Sequence, residues 1–190
     1  INAARGKHVV DDDLLDALAR VDPALNWSLT HIGGGALSDE LATRAQRLGI
    51  AHRIDWRGAQ SHDSVIEAYR THDIFTLASR IAADGDRDGL PNVLVEAQSQ
   101  GLACLATRTS AIPELIEHDR NGLLVEARDV DGLARGLEQM ITGPHLRERL
   151  GESGRELVHS EFSMEGGITR LTEKFRATGQ VGEAMTSPTP

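Results

Sequence analysis

DIFTLAS (Asp73–Ser79), PNVLVEAQSQG (Pro91–Gly101) and LACLAT (Leu102–Thr107) decide the fold. The first and third are short, nearly continuous apolar runs, the pattern of strands covered on both faces. The middle run has a proline near its start and a glycine at its end, the asymmetry of a helix. Strand, helix and strand in succession imply a parallel crossover. Upstream, WSLTHI (Trp27–Ile32) reads as a strand ending in Gly33-Gly34-Gly35. It leads into a helix with Leu37, Leu41, Ala45 and Leu48 at helical spacing. A short strand around Ile54–Trp56 stops at Arg57-Gly58, and Ser61 is the expected N-cap of a helix carrying Val65, Ile66 and Tyr69 on one side. Downstream, SAIPELIEH (110–118) predicts a short helix and NGLLVEA (121–127) a strand. Asp129 or Asp131 can cap a helix through Met140, Pro144 opens another, and Phe162–Phe175 supplies the last. The expected class is α/β, a parallel sheet with helices on both faces.

Residues 1–176 read as one domain, and residues 177–190 (ATGQVGEAMTSPTP), without apolar periodicity, as a flexible tail. The opening INAARGK carries no signal-peptide pattern, and no apolar run approaches the ~20 residues of a membrane span. Cys104 is the single cysteine, which excludes an internal disulfide, and its place in LACLAT predicts a buried, inert thiol. A net charge of −9 argues against a nucleic-acid surface. An anionic ligand therefore needs a locally basic pocket. Lys7 and Lys174 are the only lysines, beside eighteen arginines.

Parallel sheets bind ligands at the carboxyl ends of their strands, beside helix N-termini. The loops in question are Gly33–Gly35, Arg57–Gln60, Ser79–Asn92 and Thr107–Pro113. The third contains Asp84, Asp86 and Asp88 and admits three readings. As a calcium loop it lacks the carboxylate at its twelfth position, where Val95 stands. As a metal-bound Asp-x-Asp it is a two-residue pattern, and a solvated acidic loop explains it equally well. The third reading puts Gly89, Leu90, Pro91 and Asn92 at a helix start whose amides meet phosphate oxygens. Glu96, one turn further in, then accepts hydrogen bonds from a sugar or ribose hydroxyl pair, and Asp88 reaches a hydroxyl of a second sugar. This reading accounts for every residue from Asp88 to Glu96.

Gly33–Gly35 lacks the third glycine of a dinucleotide fingerprint, since Ser38 stands there; a tight turn is its expected role, with ligand contact at Gly34 secondary. The histidines show no zinc spacing. Glu114 is either a ligand-facing group or a surface charge.

LPNVLVEAQSQGLACLATRTSAIPELIEHDRNGLLVEARDVDGLARGL (90–137) resembles the C-terminal domain of the family-4 retaining glycosyltransferases of GT-B architecture. The likeness continues upstream through LTHIGGGALSDELATRAQRLGIAHRIDWRGA and HDSVIEAYRTHDIFTLASR, covering about 3–162. It implies a Rossmann-like domain forming one half of a GT-B fold, with Glu96 on the donor's ribose and Asp88, a shorter side chain than the family's glutamate, near the donor sugar. It further implies that Gly89, Leu90, Pro91 and Asn92 lie against the diphosphate and sugar, with Arg57 and Gly58 beside the nucleobase. The family's diphosphate-binding Arg and Lys stand about five residues apart; Arg5 and Lys7 occupy that region but are two apart.

The implied activity is transfer of a sugar from a nucleoside-diphosphate sugar to an acceptor hydroxyl with retention, in polysaccharide or glycolipid synthesis. The donor is a substrate; neither a cofactor nor a metal is expected. The expected partner is an N-terminal acceptor-binding domain, without which this chain turns nothing over. The expected setting is the cytoplasm, or the inner face of the membrane for the whole protein. The rivals are a noncatalytic nucleotide- or calcium-binding module and half of a nucleotide-sugar epimerase.

Overall fold

The computed structural model describes residues 2–3, 11–35, 37–79 and 91–162. Among the described residues six strands form parallel pairs: β1 (Asn2–Ala3), β2 (Leu29–Ile32), β3 (Ile54–Trp56), β4 (Ile74–Leu77), β5 (Ala103–Thr107) and β6 (Leu123–Val125). They form two ladders, β1-β2-β3 and β4-β5-β6. Because β1 lies alongside β4, the strands succeed one another as 3-2-1-4-5-6. That is the doubly wound order, whose direction reverses between β1 and β4 and leaves a crevice at the carboxyl ends there.

The helices among the described residues are α1 (Asp11–Leu18), α2 (Ser38–Arg47), α3 (His62–Thr71), α4 (Asn92–Ser99), α5 (Ile112–Leu115), α6 (Val130–Thr142) and α7 (Pro144–Phe162), the last two following the final strand. β5 shows why the sheet is covered twice. Cys104 and Ala106 point into a core with Val65, Tyr69, Leu94 and Ile112, from α3, α4 and α5. Ala103 and Leu105 point into a second core with Leu14, Leu41, Leu133 and Met140, from α1, α2 and α6. The period-2 alternation of a strand thus divides one apolar run between two layers of helices.

Several terminations follow from local chemistry. Ser61 caps α3, its Oγ accepting from Ser64 N at 3.3 Å. Asp129, the first of the two alternatives, caps α6, its Oδ1 accepting from Gly132 N at 2.8 Å. That helix runs to Thr142, one half-turn past Met140. At the other end of the chain α7 is described as far as Phe162, and the rest of the expected last helix lies outside the described residues, as does the expected tail.

Two features depart from the sequence reading. The stretch that begins with Asp11-Asp12-Asp13, to which the sequence reading assigns no element, forms α1. Acidic residues suit a helix's first turn, and Leu14, Leu15 and Leu18 supply its buried face. The second departure is Leu37. Leu41 and Ala45 of the predicted apolar stripe are buried, but Leu37 is 55% exposed. It occupies the N-cap of α2 and makes no capping bond.

His72 ends α3. Its Nδ1 lies 2.6 Å from the carbonyl of Ala68, so that nitrogen carries the proton, and Nε2 lies 2.9 Å from the buried Thr30 hydroxyl. Burial is the main cause that holds its pKa below the ordinary 6.5. The folded state therefore favours the neutral ring, and the unfolded chain takes up the proton first as pH falls. Stability from this residue is complete above about pH 6.5 and is lost as the pH drops through the lower folded value. Thermal melts from pH 7.5 to 5 should show this loss, and it should shrink in His72→Gln; an unchanged slope would remove His72 as its source.

Candidate functional site

The loops after β2 and β3 meet at the carboxyl end of the sheet. His31 pairs with Trp56 in the ladder, and their rings lie 5.0 Å apart, a cross-strand contact that helps hold the register. Beyond it, Arg57 N donates to the His31 carbonyl at 3.0 Å and Gly33 N to the Gly58 carbonyl at 2.9 Å. Gly58 sits at φ +61°, in the left-handed region that a side chain disfavours. Gln60 Nε2 donates to the Arg57 carbonyl at 2.6 Å. The Arg57 side chain is directed by Asp55, Nε to Oδ2 at 2.8 Å.

Gly34 has a different reason to be glycine. A Cβ built there would meet only Ala59 N at 3.6 Å and Ala59 Cβ at 3.9 Å, ordinary contacts, and one at Gly35 would meet nothing. Neither has a positive φ. Their bareness is not required by the protein's own packing; it leaves the rim low.

α4 joins the end of β4 to the start of β5 and so begins at this same carboxyl edge. Pro91 stands at its N-cap with φ −66° and has no side-chain acceptor of its own to offer the first-turn amides. Asn92 opens the first turn. Glu96, in the second turn, is half-buried, and its Oε2 is sealed from solvent without a hydrogen-bond partner. A buried polar group left unmatched costs about 1–3 kcal/mol, more when charged, so Glu96 is poorly explained as a structural residue.

Gly34 and Arg57-Gly58 are therefore brought together by hydrogen bonds, and Pro91, Asn92 and Glu96 are grouped on one helix end. Arg5, Lys7, Asp88, Gly89 and Leu90, together with Asp84 and Asp86 of the calcium reading, lie outside the described residues. Glu114 is exposed on α5, on the wall of a groove of about 900 Å³ between α5 and α7, together with His118 and Glu156. Cys104 is fully buried, and burial pushes its thiol pKa well up. A thiol so placed is no nucleophile.

One residue at this edge went unread in the sequence. Thr107, at the end of β5, donates from Oγ1 to the Ser79 carbonyl at 2.5 Å and ties the end of β5 to the chain leaving β4. The polar run Thr107–Ser110 after an apolar strand was its only signal. No helix among the described residues is long and apolar enough to cross a membrane.

The family described as glycosyl transferases group 1 matches residues 7–157. A lipopolysaccharide core biosynthesis glycosyltransferase, LpsE of Rhizobium meliloti, is 32% identical over 152 residues, 80% of this chain and 42% of its own length. A GDP-mannose-dependent phosphatidylinositol monomannoside mannosyltransferase of Mycobacterium tuberculosis is 28% identical over 170 residues, 87% of this chain and 43% of its own. The chain spans less than half the length of these relatives. Among solved structures, Anabaena HepE in complex with UDP and glucose superposes with a TM-score of 0.78 at 20% identity, over 93% of this chain and 47% of that one. The C-terminal domain of a glycosyl transferase group 1 protein of Francisella tularensis superposes with a TM-score of 0.73 at 24% identity, over 86% and 84%. The Rossmann-like domain and its placement as half of a GT-B architecture agree with these neighbours. With the family pattern spanning most of the sequence, this chain belongs to the group 1 glycosyl transferases.

Proposed function

We propose that this chain is the donor-binding half of a retaining glycosyltransferase, holding a nucleoside-diphosphate sugar while a separate N-terminal domain presents the acceptor hydroxyl. The observation that carries the reading is the sealed, unpartnered Oε2 of Glu96 in the second turn of α4. A carboxylate held dry and unmatched is an acceptor waiting for a donor, and a vicinal pair of ribose hydroxyls supplies two. Arg57 and Gly58 border the base, Gly34 leaves room beside it, and the amides following Pro91 and Asn92 face the diphosphate.

Departure of the diphosphate leaves growing negative charge on the leaving oxygen. Arg5 and Lys7 neutralise it together with the α4 N-terminus, and no bound metal is required. A helix terminus contributes only about 0.3–2 kcal/mol, so the two cations carry more of the task. Asp88, Gly89 and Leu90 hold the donor sugar. The named activities of the relatives support products of the polysaccharide or glycolipid class; the setting proposed with it is the cytoplasm or the inner face of the membrane.

Titration calorimetry with UDP, GDP and ADP in the presence of EDTA tests the proposal. One nucleotide should bind without metal, and that result names the base. Residues 1–190 alone should transfer no sugar to an acceptor, because the proposed reaction needs an acceptor-binding domain beside the donor-binding one. Calcium binding with no nucleotide response would sink the reading in favour of a metal module, and unaided sugar transfer would remove the need for a second domain.

A further inference from the structure

We infer that Gln98 is a positioning residue for donor binding: its buried amide fixes the rotation of α4 about its own axis, and with it the place at which Glu96 meets the donor. The inference rests on the donor-binding reading above and extends it to a residue sealed inside the core. Gln98 is fully buried, where an apolar side chain is the ordinary occupant. Its Nε2 donates to the Asn121 carbonyl at 2.9 Å, while its Oε1 is shut off from solvent without a hydrogen-bond partner. A methionine would fill the same space and leave no amide oxygen unmatched. The bond therefore adds little net stability to the fold. What it supplies is direction.

Nothing else on the helix supplies it. Val93, Leu94 and Ala97 hold α4 in the core by apolar contact, which has no preferred orientation. Among the described residues, Gln98 makes the one side-chain hydrogen bond from α4 to a distant part of the chain; that of Ser99 returns to the Glu96 carbonyl. The anchor is rigid. Asn121 is buried and uses its own side chain twice, Nδ2 donating to the Leu115 carbonyl and Oδ1 accepting from Glu117 N, both at 2.8 Å. α7 leaves room at the same point: a Cβ on Gly154 would stand 3.1 Å from Gln98 Nε2 and 3.3 Å from the Asn121 carbonyl oxygen. Gln98 and Glu96 are two residues apart, about 200° around a helix. A bond that fixes where one points fixes where the other points, and Glu96 carries the second sealed, unmatched oxygen of this helix.

The test compares wild-type residues 1–190 with Gln98→Met, Glu96→Ala and the double variant, measuring affinity for the preferred nucleoside diphosphate and the melting temperature. Gln98→Met should bind the nucleotide about threefold to tenfold more weakly, a part of the loss expected when Glu96 itself is removed. It should melt within about 3 °C of wild type. One unmatched oxygen, that of Gln98, is exchanged for another, the Asn121 carbonyl left without its donor. In the Glu96→Ala background the same substitution should change affinity by less than about twofold, because the group it positions is gone. Wild-type affinity in Gln98→Met overturns the inference and leaves the donor reading standing. An undiminished loss in the double variant also overturns it, since the effect would then not pass through Glu96. So does a melting temperature far below wild type, which would make the amide a bond of the fold alone. A wild-type chain that binds no nucleoside diphosphate overturns the donor reading itself, and the inference with it.

Discussion

Gly151→Ala is expected to destabilise the domain by about 3 kcal/mol, the upper end of the usual cost of overpacking. A Cβ at Gly151 would stand 2.1 Å from the Gly101 carbonyl oxygen, 3.0 Å from its carbon and 3.5 Å from Ala103 N. All three are backbone atoms, so no side chain can rotate away. Gly101 is itself held at φ +76° in the turn that ends α4 and begins β5. Relief therefore requires α7 to move back as a body from the α4–β5 turn, opening the core around Leu150 and Val158. Alanine is the better helix former by about 1 kcal/mol, so two effects of opposite sign compete at one residue. The steric term is the larger because both partners are main chain. For a domain of this size the net loss should appear as a fall of roughly 6–12 °C in Tm. Glu152→Ala, at an exposed position on the same helix, is the control and should move Tm by little. A Gly151→Ala protein as stable as wild type would mean that α7 does not approach Gly101 this closely.

Glu96→Ala is expected to weaken binding of the preferred nucleoside diphosphate by about 10- to 100-fold, the range of one or two hydrogen bonds to a charged group. Stability should move little or rise, because the substitution removes an oxygen that is buried and unmatched in the free protein. These opposite signs separate a ligand-binding role from a structural one. A structural glutamate would lower Tm and leave affinity unchanged. Glu96→Gln refines the test: it keeps the shape and one acceptor but replaces the other oxygen with a donor, which faces a hydroxyl less favourably. Its affinity should fall between those of alanine and wild type. Full nucleotide affinity in Glu96→Ala would overturn the assignment of this residue to the donor.

The alternation of β5, the Ser61 cap and the proline-to-glycine span of α4 were legible because each is a local matter. A strand's two faces are written in residues i and i+2, and a cap needs a hydroxyl or carboxylate within three residues of the amide it serves. The same locality explains the reading of the site's outline: glycine, proline and glutamate at fixed offsets around a helix start. It also explains a miss. α1 was hidden by Asp11-Asp12-Asp13, which looks like a solvated run until Leu14, Leu15 and Leu18 find α6 to pack on.

The sequence by itself therefore determined the layers of this protein and the parallel run of its strands, and it pointed to the carboxyl edge as the place to expect a ligand, since these follow from periodicity and turn chemistry over a few residues. Only the tertiary structure decided that Glu96 is sealed without a partner, that Gly151 rests against Gly101, that Gly35 faces open space, and that Leu37 is exposed. Each of those depends on which atoms, distant in the chain, come within a few ångströms, and no short stretch of sequence carries that information.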